Sequence, residues 1–180
     1  MLIKTYGEFW NPHAVDWKGK KLLGEIEPKK GGAAIEINFW NAKGIYVLYS
    51  EFRAIYVGKA IGASSGIGAR VQAHLTDRLI ARWDMFSWYS VSNTRETARD
   101  VSAPGKRVME PADVVGGLEA LTILVTDPPL NRRREALQGA REAVQAGGGI
   151  KSERAYLEEI VATLKAHSAI LSSAAPVGAP

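Results

Sequence analysis

The 180-residue chain has no cysteine, which excludes disulfides, a thiol nucleophile and thiolate metal sites. It has three histidines, His13, His74 and His167, too scattered to form a local metal-binding motif. No apolar run approaches the length of a membrane span, and the opening stretch MLIKTYGEFW lacks the apolar core of a signal peptide. The expected setting is therefore the cytoplasm, with no membrane partner. Charge of either sign is also in short supply: 23 basic residues stand against 19 acidic ones, for a formal charge of +4. Such a mild cationic excess is compatible with binding phosphates, but many proteins with no nucleic-acid role share it. What is present suits a folded globule: 46% of residues are hydrophobic, and the length allows one domain with a sizeable core.

The most informative stretch is residues 44–74, GIYVLYSEFRAIYVGKAIGASSGIGARVQAH. Residues 44–50 and 54–59 are rich in Ile, Val and Tyr and are separated by the polar bend Glu51-Phe52-Arg53, which predicts a β-hairpin. Side chains alternate between the faces of a strand, so an even register puts Tyr46 and Tyr56 on one face. A register centred on Glu51 would set the two directly opposite each other, and an odd register would separate them. Residues 68–81 follow with Val71, Leu75 and Leu79 four apart, predicting a helix with one buried stripe. Arg70 and His74 are also four apart and share a face beside that stripe.

Gly44-Ile45-Tyr46, followed by Tyr56-Val57-Gly58, resembles the signature of the GIY-YIG nuclease family. Later positions match in order: Arg70 and His74 after the loop, Glu119 well downstream, and Asn131 after Pro128-Pro129. The match covers residues 43–134, about half the chain; Val57 stands where the family's second triplet has isoleucine. The resemblance implies an α/β (α+β) fold with a small mixed sheet of about three central strands flanked by helices. It implies a divalent-metal-dependent endonuclease acting on nucleic acid, DNA ahead of RNA, with Mg2+ or Mn2+ as cofactor.

By the same resemblance Tyr46 would be the general base, directly or through a relay, and Tyr56 would orient water or phosphate. Arg70 would hold the scissile phosphate, His74 could pass on a proton, and Glu119 would be the metal ligand. Lys59 and Asn131 would contact substrate. One carboxylate can suffice for Mg2+, which keeps most of its waters. A phenol is a poor base near neutrality, so the site would have to lower the Tyr46 pKa, with Lys59 and Arg70 as the natural sources of positive charge.

Two other readings compete. A non-catalytic nucleic-acid-binding module could keep the same fold without cutting. Separately, GASSGIG (62–68) resembles the cofactor loop of short-chain dehydrogenases, where glycines admit a pyrophosphate to a helix N-terminus. Residues 69–180 are too few for the rest of a doubly wound sheet, and no Tyr-x-x-x-Lys follows the loop, so a nicotinamide-dependent oxidoreductase is the weaker alternative.

Around this core, residues 1–42 are expected to form an extension packed on the hairpin through its aromatics, as short strands or a helix near 20–26. Residues 83–91 are expected to form a third strand, and 92–111 a long polar loop whose Arg95, Arg99, Lys106 and Arg107 could follow a phosphate backbone. Asp113 is a candidate N-cap for a helix with the stripe Val114, Leu118, Leu121 and Val125, inside which Glu119 is the only charge. Residues 135–170 are expected to be C-terminal helices, continuing one opened by Arg132, Arg133 and Arg134, and 171–180 a disordered tail. The sequence leaves the oligomeric state open.

Overall fold

The computed structural model describes residues 2–62, 65–106, 108–128, 130, 137 and 139–147. Asn131, the C-terminal residues beyond 147 and the tail 171–180 lie outside them. Among the described residues the chain is α+β and strand-rich. In chain order come β1 (Thr5–Trp10), β2 (Leu23–Ile26), β3 (Ile35–Asn38), β4 (Gly44–Ser50), β5 (Arg53–Ala60), α1 (Ile67–Ala73), β6 (Met85–Ser90), β7 (Asn93–Arg95), β8 (Asp100–Ser102), α2 (Pro111–Thr126), β9 (Arg141–Glu142) and β10 (Val144–Gln145).

The main sheet has five strands, not three, in the order β5-β4-β6-β1-β9. The three expected strands, β4, β5 and β6, form one side of it. Residues 5–10, expected within an appended cap, are instead the strand beside β6, and Met1–Gly149 form one compact unit. Trp10, Phe39 and Trp40 of the amino-terminal segment lie in the same buried cluster as Tyr46, Leu48, Phe86 and Trp88.

The β4–β5 hairpin reaches an even register by an indirect route. Ser50 pairs with Arg53 across a two-residue turn, Glu51 and Phe52, whose φ angles of 49° and 64° are those of a turn matched to the sheet twist. That turn alone would pair Tyr46 with Val57 and send Tyr56 to the opposite face. Between Tyr49↔Ala54 and Leu48↔Tyr56, however, β5 takes one extra residue, Ile55. This bulge shifts every later pair, so Tyr46 opposes Gly58, and Tyr56 comes to the Tyr46 face, opposite Leu48. The two tyrosines are diagonal neighbours, not the direct pair that a register centred on Glu51 would give. Left-handed backbone costs a non-glycine residue roughly 1–2 kcal/mol. It is offset here by a bond from Glu51 N–H to Asp84 Oδ2 (3.0 Å) and by Phe52 packing edge-on against Phe9.

Both β5 and β6 run antiparallel to β4 and flank it, so the link between them through α1 crosses over β4. Ile67 and Val71 of α1 join the cluster containing Tyr46 and Leu48, which fixes the face that α1 covers. The opposite face carries Val47, Tyr49 and Tyr89, covered by Ala120 and Leu124 of α2 with Leu121 and Val125 alongside. The expected α2 stripe is thus displaced: Leu118 is exposed, and Ala120 and Leu124 are the buried positions. The helix also starts earlier than Asp113, with Glu110 as N-cap, Pro111 at its first position, and Asp113 in the first turn.

Three other expectations change. The helix over 68–81 ends at Ala73, where the backbone goes over to tighter turns, His74 N–H donating to Val71 O and Leu75 N–H to Gln72 O, and Asp77 Oδ1 then accepts the Leu79 N–H (2.8 Å) in a further turn. The polar stretch 92–111 contains the β7–β8 hairpin, in which Arg95 grips Asp100 through two nitrogens. Residues 141–145 form strands where a helix to about 146 was expected. They fill open edges: Arg141 N–H donates to Lys4 O, Ala143 N–H to Tyr6 O and Ala146 N–H to Leu23 O. No helix among the described residues is long and apolar enough to cross a membrane.

Candidate active site on the Tyr46 face

The two motif glycines have separate steric reasons. A β-carbon at Gly44 would stand 2.0 Å from the Tyr89 carbonyl oxygen, so glycine lets β4 lie close to β6. At Gly58 it would stand 2.2 Å from Tyr46 Cζ and 2.3 Å from the Tyr46 hydroxyl. The missing side chain on β5 is therefore the space in which the Tyr46 phenol lies. With α1 above it, Tyr46 is 0% exposed.

His74 forms the C-cap of α1, where its own N–H donates to Val71 O. The residue is buried, and its ring faces both tyrosines, with centroids 5.6 Å from Tyr46 and 4.9 Å, edge-on, from Tyr56. His74 Nε2 is 2.8 Å from the Tyr46 hydroxyl, and Nδ1 is 2.7 Å from Asp77 Oδ2. The Tyr46 and Tyr56 rings lie 6.1 Å apart, and Tyr56 is half-buried. The Trp83 indole N–H, 3.4 Å from the His74 carbonyl, ties the turn after α1 to this arrangement.

Burial pushes the Tyr46 phenol up to about 12, and neighbouring Tyr56 pushes in the same direction. Arg70, an exposed residue of α1, pulls it down through its charge and hydrogen bonding without reversing the shift. The sequence-based expectation of an acidified phenol is therefore corrected: desolvation wins over the one cation that reaches Tyr46, and Lys59 is not among the causes. Asp77 is held below the usual carboxylate range, chiefly by the Leu79 N–H and then by His74.

Four of the expected residues, Tyr46, Tyr56, Arg70 and His74, thus come together from β4, β5 and α1. Two do not join them. Lys59 is exposed opposite Ile45, so alternation places it on the other face of β5. Glu119 is exposed on α2, the helix whose Ala120 and Leu124 cover that same other face. Asn131 is outside the described residues. Asp77 was missed, because a helix running on to residue 81 directs attention to its apolar stripe; the signal available was an acid three residues after His74.

Among the described residues the carboxylate that reaches this arrangement is Asp77, through His74. Asp77 already serves His74 with one oxygen and Leu79 with the other, and Glu119 belongs to the opposite side. Among the described residues no three His, Cys, Asp or Glu side chains form a metal-holding group. Glu119, the ligand that the resemblance implies, is not among the side chains assembled on the Tyr46 face.

The described residues of GASSGIG, 62 and 65–68, have partners within the chain. Lys43 Nζ donates to Gly62 O (2.7 Å) and Ser65 O (2.9 Å). At the start of α1, Ile67 N–H donates to Ala42 O and Gly68 N–H to Trp40 O. Gly66 and Gly68 make room for residues 40 and 41, since a β-carbon at either would stand within 2.5 Å of Trp40. These donors bind backbone carbonyls, and the glycines seat a neighbouring segment where a dinucleotide loop would admit pyrophosphate. In comparisons with known proteins, no family model, curated protein or solved structure matches the chain.

Proposed function

We propose that this chain hydrolyses phosphodiester bonds in nucleic acid, DNA ahead of RNA. The observation that carries the reading is the convergence of Tyr46, Tyr56, Arg70 and His74 on one sheet face, from segments up to 28 residues apart. Phosphodiester hydrolysis needs positive charge at the phosphate and a path for the proton of the attacking water. Arg70, exposed beside the phenols, supplies a planar fork that matches two phosphate oxygens.

Tyr46 is a poor store of negative charge at neutral pH but a good conduit, because its hydroxyl lies 2.8 Å from His74 Nε2. As water attacks phosphorus, a P–O bond forms and the bond to the leaving oxygen breaks. The water proton passes by way of the Tyr56–Tyr46 pair while the Tyr46 proton moves to His74 Nε2. The leaving oxygen takes a proton from solvent, and His74 later returns one. Tyr56, the half-exposed phenol, is the member of the pair that meets substrate.

One observation favours a second reading. Tyr46 is sealed from solvent, which suits a module that holds nucleic acid without cutting it. Incubation with supercoiled plasmid, with and without Mg2+ or Mn2+, separates the two. Nicked or linear product that disappears in Arg70→Ala is the expected result. Salt-dependent binding without any product under every cation condition would replace the nuclease by the binding module.

A further inference from the structure

The Tyr46 hydroxyl, the His74 ring and the Asp77 carboxylate form an unbroken line of two short contacts, 2.8 Å and 2.7 Å. An ionised carboxylate can only accept hydrogen bonds, so the nitrogen facing it, Nδ1, must carry a proton. In a neutral ring Nε2 then has its lone pair toward Tyr46, and the phenol donates. Asp77 itself cannot turn away freely, because its other oxygen accepts the Leu79 N–H.

We propose that Asp77 is a positioning residue for the reaction at Tyr46. It fixes His74 in the tautomer whose Nε2 accepts the phenolic proton, and it stabilises the imidazolium that results. The inference rests on the nuclease reading for its consequence in catalysis, but not for the tautomer. The step moves one proton from Tyr46 Oη to His74 Nε2; the Nδ1 proton stays on the ring, and Asp77 stays ionised. The charged and titratable groups around this line are Tyr46 from β4, Tyr56 from β5, Arg70 from α1 and Arg78 from the turn beyond it. Asp77's carboxyl stays below the usual range, so the anion persists through neutral pH.

Two measurements on the full chain test the proposal. The first is the ring 15N shifts of His74, identified by their absence in His74→Gln, in wild type and Asp77→Asn. Asparagine can still accept from Leu79 but can offer Nδ1 a donor, which favours the opposite tautomer. Wild type is expected to show protonated Nδ1 and bare Nε2, and Asp77→Asn a shift toward protonated Nε2. The second is plasmid cutting, where Asp77→Asn is expected to lower kcat by roughly 10²–10⁴-fold with KM unchanged, the range set by loss of tautomer control in comparable relays. Unchanged 15N shifts in Asp77→Asn, or an unchanged kcat, would overturn the proposal. A wild type that cuts nothing would remove the nuclease reading, and the 15N shifts would still decide whether Asp77 sets the ring.

Discussion

The Tyr46 phenol lies against Gly58, so closely that a β-carbon there would meet its hydroxyl at 2.3 Å. Gly58→Ala must therefore displace the ring that carries the proposed proton path. Overpacking of this kind costs typically about 1–3 kcal/mol, and the accompanying loss of cutting should exceed what that destabilisation alone would cause. Gly105→Ala is the control, since nothing lies within 4 Å of its added carbon. Chemical denaturation should show Gly58→Ala clearly weakened and Gly105→Ala near wild type; equal stabilities would mean that Tyr46 does not occupy this position.

Tyr46→Phe keeps the ring packing and deletes one atom. His74 Nε2, in a side chain 7% exposed, then loses the hydrogen bond from the phenol. Leaving a buried group unsatisfied costs about 1–3 kcal/mol. A folded variant with cutting reduced roughly 10²–10⁴-fold is expected, the usual range for losing a positioned proton-transfer group. Plasmid assays alongside urea denaturation check both quantities, and full cutting in Tyr46→Phe would remove the phenol from the mechanism.

The part of this site that was legible in the sequence is the part governed by period. A helical spacing of four grouped Arg70 with His74, and strand alternation grouped Tyr46 with Tyr56 on the condition of an even register. Sequence did not reveal that the tight turn at Glu51-Phe52 sets the wrong parity and that Ile55 restores it; that outcome depends on which pairing buries Tyr46 and Leu48 against α1. Lys59 and Glu119 show the limit of order along the chain: one lies a single residue from Gly58, the other inside an apolar helix, and each belongs to the opposite face. The short strands at 141–145 were illegible for another reason, since the strand edges they pair with lie over a hundred residues earlier.

Arg70 separates a role in chemistry from a role in folding. It is exposed, so Arg70→Ala should change stability by no more than about 0.5 kcal/mol. Cutting should nevertheless fall by roughly 10²–10³-fold, as when one preorganised donor to a transition-state oxyanion is removed. Arg70→Lys keeps the charge without the fork and should fall between the two. The same substitution has a readout independent of cutting. Arg70 lowers the Tyr46 pKa, so phenolate absorbance in an alkaline titration of Arg70→Ala should appear at higher pH than in wild type.

Alkaline pH should expose the cost of burying the Tyr46 hydroxyl. The phenol ionises near 10.0 when unperturbed and at about 12 in the folded protein. Between those values the unfolded chain has released a proton that the native chain retains, so rising pH favours unfolding. The contribution is fully present below pH 10.0, falls across the interval, and is lost above about 12. At about 1.4 kcal/mol per pKa unit, the full loss is on the order of 2–3 kcal/mol. Tyr89 adds a loss of the same sign, because burial first, and then neighbouring Tyr49 and Glu8, raise its pKa as well. Urea midpoints measured at successive pH values from about 9 to 11.5 should therefore decline in wild type and less steeply in Tyr46→Phe and Tyr89→Phe, since phenylalanine has no proton to lose. The decline should be shallowest in the double variant, whose two sites lie on opposite faces of the sheet and should add. A Tyr46→Phe slope equal to that of wild type would mean that solvent reaches the phenol in the folded protein.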